Sequence, residues 1–327
     1  MTITGGIIPG RKSSALLSMT DKKNLFITGA QGFVGSHIQA AVLGADWQST
    51  FEVVCADSQF DITDRLSLTR VINQAHPDAV IHLAAQSHVP TSFADPEETY
   101  RVNFFGTLNL LEALAKSRFA GRLLFVGSAD TYGLVLETDL PIREEQPLRP
   151  RNPYAVSKVA AEALCYQWSQ TGSFEIIMAR PFNHIGPGQG ENFAVSGFAK
   201  QIAEIALGLR AAEIQVGDLD VTRDFTDVRD IVDAYLELLI KGKSGEVYNV
   251  GSGQERKMSE ILDSLISIAG ISARITVDTA RFRPAEQRRV VCDANKLMHQ
   301  TGWQPRRQIN ETLNEILQHW TGKLQHG

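Results

Sequence analysis

Residues 152–158 read Asn-Pro-Tyr-Ala-Val-Ser-Lys, which puts a phenol and an ammonium four positions apart just after a proline able to open a helix. On a helix, side chains at i and i+4 have Cβ atoms roughly 5–6 Å apart, so Tyr154 and Lys158 share one face and one electrostatic field. A free phenol titrates near pH ~10, and a neighbouring positive charge favours its ionised form. The spacing therefore predicts that Lys158 brings Tyr154 toward proton exchange at neutral pH, as an acid or base. A solvated Tyr/Lys pair has the same spacing, so context must separate the two. "LLFVGSADTYG" supplies it: an apolar strand ends at Ser128, and the carboxyl edge of an open parallel sheet is where ligands bind. A hydroxyl there can hold a carbonyl oxygen beside Tyr154, although Ser128 alone reads as a turn serine.

A second constellation lies near the start. "LFITGAQGFVG" is a strand running into glycines at 29, 32 and 35. In a strand–turn–helix setting Gly29 allows the tight turn, Gly32 lets the backbone approach a pyrophosphate, and Gly35 lets helix and strand pack closely. The alternative is a glycine-rich turn without a ligand, and a lone motif of this kind discriminates weakly. Asp57 closes the second apolar run, about where an acidic residue accepts from the ribose 2′-hydroxyl of NAD; it also reads as a turn aspartate. Asp61 and Ile62 of "DITD" follow and could border the adenine. NADH and NADPH both stay open as cofactors.

These groups need a scaffold, and the chain patterns one. "NLFITG", "FEVVCA", "DAVIHLAA", "RLLFVGS" and "FEIIMAR" are short apolar runs, the first four each followed by a stretch with helical potential. Nearly continuous apolar strands alternating with helices predict an α/β fold with a doubly wound parallel sheet covered on both faces. After Arg180 the alternation stops. "RPFNHIGPGQGENF" is rich in Gly, Pro and Asn and reads as a long functional loop. An amphipathic helix follows in "DVRDIVDAYLELLIKG", then a strand in "GEVYNVGSG" and a smaller mixed segment ending in the helix "INETLNEILQHW".

Composition sets the limits. The 327 residues suggest about two domains, and 43% apolar with 21% charged residues is ordinary for a globular enzyme. A net charge of -5 offers no basic footprint for nucleic acid. No apolar run reaches the roughly 18 residues of a membrane span. Cys55, Cys165 and Cys292 are odd in number and far apart, suggesting neither a disulfide framework nor a metal site, and a reducing cytoplasm fits best. Residues 1–20 lack an apolar signal-peptide core and read as a mobile leader.

Taken together, the motifs amount to a family likeness. "TGAQGFVG", "HLAAQSHV", "VNFFGTLNLLEA", "GSADTYG", "NPYAVSK", "RPFNHIGPGQ", "RDFTDVRDIV" and "RPAEQ" occur in order from about Asn24 to the C-terminal helix. By these the chain resembles the extended short-chain dehydrogenase/reductases acting on nucleotide sugars. The resemblance implies a Rossmann domain over 21–182 and 226–250, and a smaller mixed α/β substrate domain over 183–225 and 251–327. It implies Ser128, Tyr154 and Lys158 as the catalytic triad and Asn103 as the supporting asparagine, with Lys158 also hydrogen-bonding the nicotinamide ribose. The expected dinucleotide contacts are Gly29, Gln31, Gly32, Phe33, Val34, Gly35, Asp57, Asp61, Ile62, Leu83, Ala84, Ala85, Tyr154, Lys158 and Pro181.

The same likeness populates the substrate half. Arg223 and Arg283 match positions where the family places arginines on the diphosphate, which suits bidentate guanidinium recognition. Glu286 would take a ribose hydroxyl, Asn183 and Lys200 the diphosphate or its sugars, and Ser87 and His88 the hexose. "ARPFNHIGPGQ" and "AEQRRV" look most like the branch that reduces the C4 ketone of GDP-4-keto-6-deoxy-D-mannose to GDP-6-deoxy-D-mannose (GDP-D-rhamnose). A 4,6-dehydratase shares the motifs, but its family carries a base glutamate two residues after the hydroxyl residue; here that position is Asp130, a shorter carboxylate. A 4-epimerase and a dinucleotide-binding regulator are the remaining readings, the last expected to lose the triad. The family usually dimerises through two helices, here around 96–116 and 153–171, so a homodimer is expected.

Overall fold

The computed structural model describes residues 22–55, 60–279 and 287–326. In chain order it begins with strand β1 (Lys23–Thr28), helix α1 (Phe33–Leu43), β2 (Phe51–Val54), α2 (Arg65–Ala75) and β3 (Ala79–His82). Two short helices follow, α3 (Val89–Ala94) and α4 (Pro96–Tyr100), then a π-turn over Arg101–Phe105 that runs into α5 (Gly106–Lys116). Next come β4 (Arg122–Val126), α6 (Pro153–Thr171), β5 (Glu175–Pro181), β6 (Asn183–Ile185), α7 (Ala194–Ala206), β7 (Glu213–Val216) and β8 (Thr222–Asp227). The chain ends with α8 (Val228–Lys241), β9 (Val247–Val250), β10 (Glu255–Lys257), α9 (Met258–Ala269), β11 (Arg274–Val277), α10 (Asn295–Thr301) and α11 (Ile309–His326).

Six strands form one sheet in the order β2-β1-β3-β4-β5-β9, each pairing parallel. The α/β doubly wound arrangement expected from the alternation is the one observed. The period of two along each strand explains the two apolar layers. Leu25, Ile27, Ile81, Leu124 and Ile177 face one core with α1 and α8, while Phe26, Val80, Leu123, Phe125, Ile176 and Met178 face the other with α2, α5 and α6. The chain reverses direction of travel across the sheet between β1 and β3, so their carboxyl ends flank the switch point at which open α/β sheets bind ligands.

Helix starts follow local chemistry. The Asp64 carboxylate accepts from Leu66 N and Ser67 N at the head of α2, Asp227 caps α8, and Asn152 accepts from Ala155 N at 2.7 Å with Pro153 in the first turn of α6.

The second half builds a third core from α7, α9 and α11 beneath two small sheets, β10-β8-β6 and β11-β7. Two features depart from the sequence reading. The stretch read as one long loop carries strand β6, because Asn183–Ile185 finds a parallel partner in β8. Cys292, Ala294, Leu297 and Trp303 return to the core beside α8 instead of staying with α9 and α11.

Candidate active site

Tyr154 and Lys158 lie one turn apart on the first half of α6, both buried, with the Lys158 ammonium 6.0 Å from the centre of the Tyr154 ring. The ammonium donates to Val126 O at 2.8 Å, at the carboxyl end of β4, and lies 5.3 Å from the Phe125 ring. Ser128 follows two residues later. Its hydroxyl accepts from Asp130 N at 3.2 Å and hydrogen-bonds the Tyr154 phenol. Hydroxyl, phenol and ammonium thus converge where β4 ends.

The electrostatics of the pair correct the sequence expectation. Tyr154 is not drawn toward neutral titration by Lys158. Burial pushes the phenol well above its ordinary value, and the Asp130 carboxylate raises it further against the opposing hydrogen bond from Ser128. Lys158 spends a proton on a backbone carbonyl instead of on the phenol, and desolvation brings its own pKa down to about 8. Tyr154 therefore stays protonated through the neutral range, as a proton donor requires and a resting base does not.

Asn103 sits in the π-turn before α5, a helical irregularity frequent at functional sites. Its buried side chain clamps the loop after β3, accepting from Gln86 N at 2.8 Å and donating to Gln86 O at 3.0 Å. It also donates to Ser157 Oγ at 2.9 Å, and Ser157 donates on to Tyr154 O at 2.7 Å.

The glycine turn has the features a diphosphate needs. Gly29 adopts φ +76°, and a Cβ there would come within 3.0 Å of Ala84 N. At Gly35 a Cβ would strike Gly29 O at 2.4 Å, so only glycine lets α1 pack this close to β1. Gly32 caps α1 without any side-chain hydrogen bond, and the first turn carries no acidic residue. Amides at this helix end are thus left to an anion, with no carboxylate competing for them. Gln31 is exposed beside Gly32, Phe33 and Val34 are half-buried in the first turn, and Leu83, Ala84 and Ala85 line the facing loop after β3. Pro181 is buried at the end of β5.

Other expected residues are distributed less simply. Asp61 accepts from Thr63 N and Oγ1, which holds its carboxyl below the usual range. The Ile62 side chain packs in the core under Gly106. Asn183 and Ser87 are exposed, and His88 Nδ1 bonds Thr91 Oγ1 at 2.9 Å. Lys200 is ion-paired with Glu191 and, at 3.8 Å, with Glu204. Arg223 donates to Thr222 O and Gln287 O, beside β8. Asp57, Arg283 and Glu286, with the leader at 1–20, lie outside the described residues.

Reading the sequence missed the groups behind this surface. Arg180 on β5 forms a buried two-pronged pair with Glu162, one turn past Lys158 on α6, at 2.6 and 2.9 Å. It also donates to Tyr132 OH at 2.8 Å, and Tyr132 donates to Asn249 Oδ1 at 2.6 Å. His82, fully buried at the end of β3, was also missed. No local spacing marks either group, since their partners come from distant strands and helices.

A switch-point glycine turn with a protonated tyrosine, serine and lysine at the adjoining strand end defines a dinucleotide-dependent α/β oxidoreductase type of site. The family described as GDP-mannose 4,6 dehydratase matches residues 55–316, and the chain belongs to that family. It is 47% identical over 302 residues to the GDP-6-deoxy-D-mannose reductase of Pseudomonas aeruginosa, spanning 92% of this chain and 98% of that one. A GDP-mannose 4,6-dehydratase from Yersinia enterocolitica is 30% identical over 288 residues, covering 79% and 76% of the two chains. Among solved structures, RMD from Pseudomonas aeruginosa complexed with NADPH superimposes with a TM-score of 0.88 at 46% identity, over 92% of this chain and all of that one.

Proposed function

We propose that this protein is an NAD(P)H-dependent oxidoreductase that reduces the C4 ketone of GDP-4-keto-6-deoxy-D-mannose to GDP-6-deoxy-D-mannose (GDP-D-rhamnose). The observation that carries the reading is the Tyr154 phenol, kept protonated by burial and Asp130 while hydrogen-bonded to Ser128. The likeness to the Pseudomonas reductase and to its NADPH complex supports the choice of substrate and cofactor.

When bound, the reduced nicotinamide supplies hydride to the ketone carbon. Gly29, Gly32 and Gly35 with the first turn of α1 hold the diphosphate, with Gln31, Phe33, Val34, Leu83, Ala84, Ala85 and Pro181 around the dinucleotide. Ser128 donates to the ketone oxygen and fixes it beside Tyr154. As negative charge grows on that oxygen, Tyr154 transfers its proton, and the Ser128 hydrogen bond strengthens with the charge. Lys158 contributes a positive charge near the phenolate that remains and hydrogen-bonds the nicotinamide ribose. Asn103 keeps the turn carrying Tyr154 in register through Ser157. Arg223, Arg283, Asn183 and Lys200 hold the GDP diphosphate and its sugars, Glu286 a ribose hydroxyl, and Ser87 and His88 the hexose.

The chain divides functionally into a dinucleotide-binding part (21–182, 226–250) and a nucleotide-sugar part (183–225, 251–327), a reading supported by the six-stranded sheet and the third core, with residues 292–303 crossing back to pack beside α8. It works as a homodimer through the helices around 96–116 and 153–171, where Phe105, Val156 and Tyr166 are exposed apolar side chains. A cytoplasmic location fits its three free cysteines. Among the described residues no helix is long and apolar enough to cross a membrane.

A second reading, the dehydratase, draws on one observation: the Asp130 carboxylate is near enough to raise the Tyr154 pKa, so a base lies beside the acid. The two readings separate when the protein is given GDP-4-keto-6-deoxy-D-mannose and nicotinamide deuterated at its transferable position. Deuterium at C4 of a 6-deoxymannose product, read by NMR, supports the reductase. Unlabelled keto sugar recovered unchanged rejects it.

A further inference from the structure

His82 is fully buried, lies outside any contact expected with substrate or cofactor, and bonds hydroxyls on both ring nitrogens: Thr28 Oγ1 at 2.7 Å from Nδ1 and Thr107 Oγ1 at 2.9 Å from Nε2. The neighbours fix its tautomer. A threonine hydroxyl has one proton, and Thr107 donates its proton to Asn103 O at 2.6 Å, so it must accept from His82. Nε2 therefore carries the proton and Nδ1 accepts. Thr28 Oγ1 donates to Nδ1 while itself accepting from Ala84 N at 3.1 Å. The bonds then run in one direction from the Ala84 amide through Thr28, His82 and Thr107 to Asn103.

The two ends of this chain are the two halves of the reaction. Ala84 N is the atom that a Cβ at Gly29 would meet at 3.0 Å, so the first link lies directly against the glycine turn. The last link, Asn103, continues through Ser157 to the carbonyl of Tyr154. Every hydroxyl along the line donates once and accepts once, which leaves no slack for one end to move alone. A charged imidazole would break it. Nδ1 would then carry a proton toward Thr28, and Lys158 already repels positive charge there; burial and that repulsion push His82 down to about 3.

We propose that His82 is a positioning residue that couples the cofactor turn to the Tyr154 turn through the Thr28–His82–Thr107–Asn103 chain, so that cofactor seating and proton-donor alignment are set together. This rests on the reading of Tyr154 as the proton donor. Replacing His82 outright leaves the Thr28 hydroxyl without its acceptor and Thr107 without its donor in a fully buried site and risks the fold, so the test uses the near-isosteric Thr28→Val and Thr107→Val, singly and combined. NADPH Kd is read from nicotinamide fluorescence and kcat from turnover of GDP-4-keto-6-deoxy-D-mannose, with circular dichroism confirming that each variant is folded.

Thr107→Val, although remote from the glycine turn, is expected to weaken NADPH binding and lower kcat, each about tenfold, the scale expected of small misalignments far from the chemistry. Thr28→Val should do the same, and the double variant should be no worse than either single one, because each cuts the same chain. Thr107→Ser, which keeps the hydroxyl, should restore both values. The proposal is overturned if Thr107→Val leaves NADPH Kd unchanged, or if the two effects multiply in the double variant. Should the parent protein not reduce the keto sugar at all, the reading of the reaction fails, while the NADPH-binding arm still decides whether the chain couples the two turns.

Discussion

The two sides of the proposed reaction are held in different ways. Around β4, β5 and α6 the polar groups are dry and mutually fixed: Arg180 grips Glu162 with both prongs, Lys158 is tied to a backbone carbonyl, and Asn103 makes reciprocal bonds to Gln86. Around β6, β8 and α7 the side chains expected to meet the nucleotide sugar are wetter. Asn183 is exposed, and Lys200 is paired with carboxylates near solvent. The contrast teaches a division of labour. Transition-state geometry tolerates little error, and its groups are fixed by the protein's own contacts. A diphosphate can displace carboxylates from partly exposed cations at modest cost, because ion pairs near the surface are worth only about 0–1 kcal/mol.

Breaking the dry side should do the most damage. Tyr154→Phe removes the proton donor without disturbing the glycine turn, so kcat is expected to drop by about 10²–10⁴-fold while NADPH Kd, measured by fluorescence, stays near the parent value. Equal turnover in variant and parent would end the assignment. Arg180→Ala strands the Glu162 carboxylate in the core one turn from Lys158. Its cost should be about 3–5 kcal/mol in a urea melt, and a loss below ~1 kcal/mol would show that the pair is not a buried lock.

The wet side should respond through affinity. Arg223→Ala is expected to raise KM for the GDP-sugar roughly tenfold, the loss of about one charge-assisted contact, with kcat and the KM for NADPH nearly unchanged. A rise confined to the cofactor KM would mean that the two regions have been assigned the wrong way round. Smaller still is the pH effect. Lys158 titrates at about 8, so it is charged below that pH and neutral above it. Reduction uses the charge, so kcat should decline by a few-fold as pH rises through about 8. Lys158→Arg, which stays charged, should flatten that limb; an unchanged limb would locate the titration elsewhere.

What the sequence made legible follows the same division. Gly29, Gly32 and Gly35, Tyr154 and Lys158, and Ser128 at a strand end are local patterns, and their geometry can be anticipated from the period of a helix or the end of an apolar run. The direction of the Tyr154 shift could not be, because spacing reveals the nearby cation but neither the burial of the phenol nor the carbonyl of Val126 that claims that cation. Arg180, Glu162 and His82 were invisible for a related reason. Each is an ordinary polar residue in an apolar run, and only the packed sheet brings β3, β5, α5 and α6 into contact. Strand β6 escaped notice because its three residues become a strand only when β8 lies alongside.

Net consumption of the cofactor separates the two reactions. A reductase uses one nicotinamide per product, whereas a dehydratase returns the hydride to the same sugar and shows no net change. With NADPH present, the absorbance of the reduced nicotinamide is followed first with GDP-mannose and then with GDP-4-keto-6-deoxy-D-mannose. The expected result is no conversion of GDP-mannose, and with the keto sugar a loss of absorbance equal to the GDP-6-deoxy-D-mannose formed. Conversion of GDP-mannose to a 4-keto-6-deoxy sugar with the absorbance unmoved would contradict it, and would make Asp130 the base of a dehydratase.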